Sequence, residues 1–439
     1  MHSDRAADPS LRLTRLALSA AILLALPATA AVRIDYQVGA SLLFSDNINL
    51  SATDPVADTV LGPQLSFDAR QSGADLHLKA RGELQHLHYL GNSFPDEWRG
   101  GFAGQLAWTL LPQRLEFVAQ DYLSRAPIDR FNDLSPGNQQ QVNVFIAGPN
   151  LFARLGPATR GELELRYGTS HADEDPSFNG HRHSAAARVL RAINATSDGS
   201  LNLEATRAEF DRSTRYTLRN AYAGYVRRHP RLDLDLAAGW SQLQPGNGAP
   251  TQGTQLLRAN IGWKATPRST FSVNLRSGFS DAAEYLVAHG EDLDAPPPPD
   301  LGASDLTVQI GPGAFREQHA ELGYRHEGDR LRLQLQSYRE HIRYFESIAP
   351  DQRSHGGLLQ LDYRLRPRTT LSFIAARQQR RFIGRSRSDE DFVAIIGVVD
   401  RWTRHWSVRL DFQHRQRDSS VADQAHDENA AILAITYRR

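Results

Sequence analysis

Oily and polar side chains take turns along most of this chain, and few folds permit that. Val32, Ile34, Tyr36, Val38, Ala40, Leu42 and Phe44 are apolar, with Arg33, Asp35, Gln37, Gly39 and Ser41 set between them. A period of two gives each set its own face of a β-strand, whereas a helix would scatter both around its circumference. The pattern returns at Leu76 to Leu84, Trp98 to Leu110, Leu163 to Tyr167, Leu232 to Trp240, Phe271 to Phe279, Leu331 to Leu335, Trp406 to Phe412 and Ala431 to Tyr437. Segments 183–194 and 216–227 read less clearly, because arginine and alanine blur their faces.

The connections between these segments alternate in length. Short ones fall near 71–73, 112–114, 156–158, 197–199, 228–230, 266–268, 327–329, 366–368 and 400–404. Long polar ones run roughly over 45–59, 91–97, 124–141, 171–181, 209–215, 243–253, 281–313, 346–352, 381–390 and 415–427. Pro267-Arg268 and Pro367-Arg368 punctuate two of the short turns, since proline presets a turn dihedral and cannot extend a ladder. Such a chain has about 20 strands (about 18–22), each of about ten residues, near the length that crosses a bilayer at a tilt.

Ahead of the array, Arg5, Arg12 and Arg15 precede the apolar run Leu16 to Leu26, then Pro27 and Ala28-Thr29-Ala30. A charged start, a short oily stretch and small residues at the cleavage positions form an export signal. The expectation is a signal peptide over residues 1–30 and a single domain over 31–439. No later stretch is long and apolar enough for a spanning helix. With no cysteine, disulfides, thiolate metal sites and cysteine nucleophiles are excluded. Equal numbers of basic and acidic residues, 50 of each, give no bulk charge to attract nucleic acid.

A soluble sandwich also alternates, so periodicity alone leaves a secreted sandwich, propeller or solenoid open. Export, alternating loop lengths and an even strand count point instead to an all-β fold, a transmembrane antiparallel up-and-down β-barrel. Closure follows physically, because an open edge in hydrocarbon leaves backbone groups unpaired. Phe44, Trp98, Trp108, Trp240, Trp263, Trp406 and Tyr437, near strand ends, fit interfacial girdles.

The first strand ends in Phe44-Ser45-Asp46-Asn47-Ile48-Asn49-Leu50, and Gly62-Pro63 leads into the second. With the leader, this resembles the outer-membrane β-barrel proteins of the PEP-CTERM/exopolysaccharide-locus-associated type (the β-barrel porin 2 family). The resemblance covers the mature chain as architecture, with the Asp-Asn-Ile-Asn stretch as its specific motif. It implies the cell outer membrane, a part in polysaccharide export and no catalytic residues. Barrels of that kind usually finish on an aromatic residue, whereas here Arg438 and Arg439 follow Tyr437.

No Gly-rich phosphate loop, His-Glu-x-x-His or Gly-x-Ser-x-Gly is present, so the chain is expected not to be an enzyme and to carry no cofactor or metal. His86 with His88 and His181 with His183 share strand faces but lack a third ligand. Asp173-Glu174-Asp175, and Asp292, Asp294, Asp300 and Asp305, read as solvated loop acids. The positive expectation is a lumen lined by Arg33, Asp35, Lys79, Arg81, Glu83, Glu164, Arg166, Asp233, Asp235, Arg276, Arg364, Arg409 and Asp411. Both signs alternate there, so no single-sign filter is legible. The 281–313 connection is the natural constriction, although an external loop is its plainer reading. Expected partners are outer-membrane lipid and lipopolysaccharide, with polysaccharide or export proteins. A scaffold with a blocked lumen is the alternative to a pore, and a barrel enzyme a more distant one.

Overall fold

The computed structural model describes residues 32–132, 135–212, 214–288, 293, 310–345 and 349–439. The expected signal peptide lies outside them. The strands are β1 (Arg33–Ser45), β2 (Asp58–Ser72), β3 (Leu76–Tyr89), β4 (Glu97–Leu111), β5 (Leu115–Pro127), β6 (Gln139–Arg154), β7 (Thr159–Ala172), β8 (Gly180–Asn194), β9 (Ser197–Phe210) and β10 (Arg215–His229). Then come β11 (Leu232–Pro245), β12 (Gln252–Thr266), β13 (Ser269–Asp281), β14 (Ala314–Glu327), β15 (Leu331–Tyr344), β16 (Gln352–Arg364), β17 (Thr369–Phe382), β18 (Arg387–Arg401), β19 (Trp406–Ser419) and β20 (His426–Arg438). A seven-residue helix, α1 (Ala282–Ala288), follows β13 directly.

Each strand pairs antiparallel with its neighbours in sequence, and β20 returns to pair with β1, Ser45 opposite Ala430 and Gln37 opposite Arg438. The sheet is therefore a closed 20-stranded barrel with no free edge. Following the registers once around gives a shear of about 26 residues, hence a tilt of about 44° and a backbone diameter of about 40 Å. Strands of 13 to 16 residues exceed the expected ten. At that tilt they rise about 35 Å, so each crosses the apolar layer and carries polar rows beyond it.

The registers also fix the two faces. Asp35 lies opposite Asp68, Asp68 opposite Arg81, Arg81 opposite Ala103 and Ala103 opposite Tyr122. Ala103 and Tyr122 pack against Leu293 of the long connection, so this face is the lumen. The other face carries Ile34, Leu65, Leu163, Leu203, Leu322 and Ile435, all exposed as lipid-facing residues must be. All seven girdle aromatics stand on that outer face. Trp406 packs edge-on against Tyr437 at 5.2 Å, and Trp263 stacks on Phe271 at 5.6 Å, near the short-turn rim.

The two unclear segments are strands β8 and β10. In β10 the faces blur because Tyr216 and Leu218, on the lumen side, are apolar and buried against α1 rather than wetted.

Candidate functional site: the lumen and the two loops that cross it

Asp281 ends β13 and starts α1, and one side chain does both jobs. Its Oδ1 accepts the backbone N–H of Ala283 and of Glu284, each at 2.9 Å, which caps the helix. Its two oxygens also take a bidentate pair from Arg182 of β8 at 3.0 and 3.1 Å, and the hydroxyl of Tyr216 at 2.7 Å. With 6% of the Arg182 side chain and 1% of that of Asp281 exposed, the pair is sealed from water. It draws the chain inward at the strand end, where an external loop would have turned out.

The helix then buries Ala282, Ala283 and Leu286 against Val142, Val144, Leu218 and Leu243 of the inner wall. Tyr285 joins Phe315, Ile342 and Tyr344 on the opposite side and donates its hydroxyl to Glu340 at 3.4 Å. Farther along, Leu293 reaches Ala103 and Tyr122, and its carbonyl accepts from Arg70 of β2 at 3.0 Å. Since β2 stands across the barrel from β13, the connection traverses the lumen. The long-loop expectation thus resolves in favour of the constriction, and an external loop is set aside for residues 281–288 and 293.

A second crossing had no sequence signal. From the 128–138 connection, Arg130 donates to the Tyr344 hydroxyl at 3.2 Å and to Gln352, between the rings of Tyr344 and Phe382. The Phe131 carbonyl accepts from Arg387. These partners lie on β15 to β18, the far wall from β5 and β6. Arg130 is 6% exposed, and a lone loop arginine gives no warning that it will be buried in the opposite wall.

All the sequence-designated lumen residues share the inner face, where several stand in neighbouring ion pairs rather than in one constellation. Arg33 meets Asp35 at 3.1 Å, Arg166 meets Glu164 at 3.6 Å, Arg276 meets Glu317 at 3.6 Å and Arg409 meets Asp411 at 2.6 Å. Arg81 meets Asp68 at 3.1 Å, while Arg188 touches both Glu162 and Glu164 at 3.4 Å. Lys79 and Glu83 stand on β3, Asp233 and Asp235 on β11, and Arg364 at the end of β16. The paired charges neutralise one another locally. On α1, outside the spanning strands, Glu284 is pushed up to about 7, first by loss of water around its carboxyl and then by the charge of Asp281.

Glu317, His319 and Glu340 bring three donor atoms within 4.8 Å of one another on the inner face, a grouping the sequence reading did not propose. The i, i+2 spacing of Glu317 and His319 was its one visible trace. Arg276 already supplies a cation beside Glu317, so the cluster carries its own counter-charge. The histidine pairs stand instead on the outer face, where His86 packs on Trp98 and His183 on Tyr167. Asp175 accepts the Ser177 N–H and orders a single turn. Asp292, Asp294, Asp300 and Asp305 lie outside the described residues.

The Asp-Asn-Ile-Asn stretch does structural work at the barrel seam. Asp46 accepts both the backbone and side-chain N–H of Asn429, at 2.7 and 2.9 Å. Asn47 is buried and donates to the carbonyls of Ser51 and Asp427 at 2.9 and 2.8 Å. Asn49 closes the same loop through Asp54 and Val56, both at 2.9 Å. The motif ties the first loop to the last strand.

No family model matches the sequence, and no curated protein matches it. Among solved structures, the chain is similar to the ferric enterobactin receptor PfeA of Pseudomonas aeruginosa, at 10% identity over 92% of this chain and 80% of that one, with a TM-score of 0.47. It is similar to the ferric-catecholate import receptor Fiu of E. coli at 10% identity over 93% and 82%, TM-score 0.44. A siderophore receptor of Acinetobacter baumannii, PirA, is 9% identical over 94% and 81%, TM-score 0.46. A likeness this distant says nothing of what the chain carries.

Proposed function

We propose that the chain is an outer-membrane pore, narrowed by its own loops, that passes a neutral, hydroxyl-rich solute such as an exported polysaccharide. The seating of Ala282–Ala288 and of Leu293 inside the lumen carries this reading, because a passage about 40 Å across at the backbone needs an internal constriction to discriminate. The inner wall supports the solute class. Asn260 faces Asn274 and Gln334 faces Gln360 across neighbouring strands. Amides offer donors and acceptors together, which suits hydroxyl groups better than ions.

The same crossing also favours a second reading, a scaffold whose lumen is blocked. Single-channel recording in planar bilayers separates the two, using the full chain and a variant in which a short Gly-Ser linker replaces residues 282–313. A pore gives small openings in the full chain, larger ones in the variant, and current block by a neutral oligosaccharide. Silence from both forms would overturn the pore.

A further inference from the structure

The lipid-facing side of β14 to β17 changes character partway up the wall. Near the short-turn rim it presents Leu333, Leu335, Leu359, Leu361 and Phe373, an ordinary oily surface. Eight to twelve residues from the turn-side strand ends come Arg316, Arg339, Arg343, Arg353, Arg377 and Arg381. At this tilt those residues stand about 20–29 Å above the short-turn rim, the top of an apolar band about 25 Å tall.

The registers make them neighbours. Arg316 lies directly opposite Arg343, and the row His341, Arg353, Arg381 crosses three strands. Like charges directly opposite each other oppose folding, so the arrangement is costly without an anion. Inside the protein little answers them. Arg377 pairs with Glu390 at 2.7 Å and Arg343 approaches Asp351 at 3.9 Å, while among the described residues no carboxylate lies within 4 Å of Arg339, Arg353 or Arg381. The next strands around the wall, β18 to β20, present Glu390, Asp418 and Asp427 at the same level, so the cationic zone is a patch and not a belt. A depression of about 910 Å³ is lined by Arg339, Arg353 and Arg381 on one side and by Leu275, Ala320 and Leu322 on another.

We propose that this patch binds the phosphorylated sugar headgroup of an outer-leaflet lipopolysaccharide, with the acyl chains lying along the leucines below. Guanidinium groups match phosphate oxygens in fork geometry, and they remain charged at a membrane interface. Only an amphiphile with anionic head and oily tail on one molecule fits a surface that is cationic above and apolar below. The site rests on the barrel standing in an outer membrane with its long loops outward, and it is independent of whether the lumen conducts.

The test measures lipid retained by the full-length, detergent-purified barrel in native mass spectrometry. The probes are bisphosphorylated lipid A, dephosphorylated lipid A, phosphatidylglycerol and inorganic phosphate. The intact barrel should hold bisphosphorylated lipid A at least tenfold better than any of the other three. The variant Arg339→Gln/Arg353→Gln/Arg381→Gln should lose at least tenfold of that retention, whereas Arg207→Gln, elsewhere on the outer wall, should lose none. Channel recordings of the triple variant should match those of the intact protein, which separates this site from the pore reading. Equal retention of the dephosphorylated lipid, a comparison that needs no variant, would overturn the proposal. Retention of phosphatidylglycerol or free phosphate at the lipid A level would overturn it too, as would a triple variant that folds and binds normally.

Discussion

Replacing Asp281 by alanine strikes the one side chain that anchors the lumen helix. It removes two bonds from Arg182, one from Tyr216 and two capping bonds from Ala283 and Glu284. Stranding a sealed arginine costs about 3–5 kcal/mol, and loss of the cap about 1 kcal/mol more. Against this, burial of Ala282, Ala283, Tyr285 and Leu286 holds α1 in place by about 5 kcal/mol. A helix of seven residues has no stability of its own, so it docks or melts as a unit. The two terms are of the same size, and the change moves the loop from firmly docked to nearly balanced. A shift of about 5 kcal/mol is roughly several thousandfold in the undocked population. The barrel wall keeps every strand pair, so heat-modifiability on gels should be unchanged while large openings become frequent in planar bilayers. Replacing both partners, Arg182→Met with Asp281→Leu, leaves no stranded charge and should return most of the small-conductance behaviour. Asp281→Ala channels that behave like the intact protein, or a double variant as open as the single one, would refute the anchoring argument.

Two further outcomes follow from the same geometry. Glu284 binds its proton more tightly in the docked loop, at about 7, than at its ordinary 4.5. Docking is therefore strongest below about 4.5, weakens as pH rises to about 7, and stays level above that. Recordings from pH 4.5 to 8 should show openings increasing up to neutrality, and Glu284→Gln should flatten the curve; a wild-type profile without slope would count against it. In the wall, Gly239 lies opposite Tyr222, and a Cβ there would collide with the Ala221 carbonyl and the Tyr222 backbone. Gly239→Val should prevent closure, measured as loss of the heat-modifiable band; a normally folded variant would show that the strands can part to admit a side chain.

The sequence made the wall legible because a β-strand has a strict two-residue period and a bilayer allows little polar error on one face. Strand number, the placing of short and long connections, and the outward direction of Trp98, Trp240 and Tyr437 all follow from that constraint. The interior was legible only where it is wet. Val142, Val144, Tyr216 and Leu218 break the alternation on the lumen side, and in a bare sequence such breaks look like noise. They are the imprint of α1, whose contacts join residues far apart in the chain. The same holds for Arg130 in its far-wall pocket, for Glu340 beside Glu317 and His319, and for the arginines of β14 to β17, whose clustering needs the register. Local periodicity encodes which way a side chain points, so the sequence by itself determined a cylinder with oil outside and water within. What fills the cylinder depends on meetings across about 40 Å of lumen, which leave no periodic trace, and only the tertiary structure decided it.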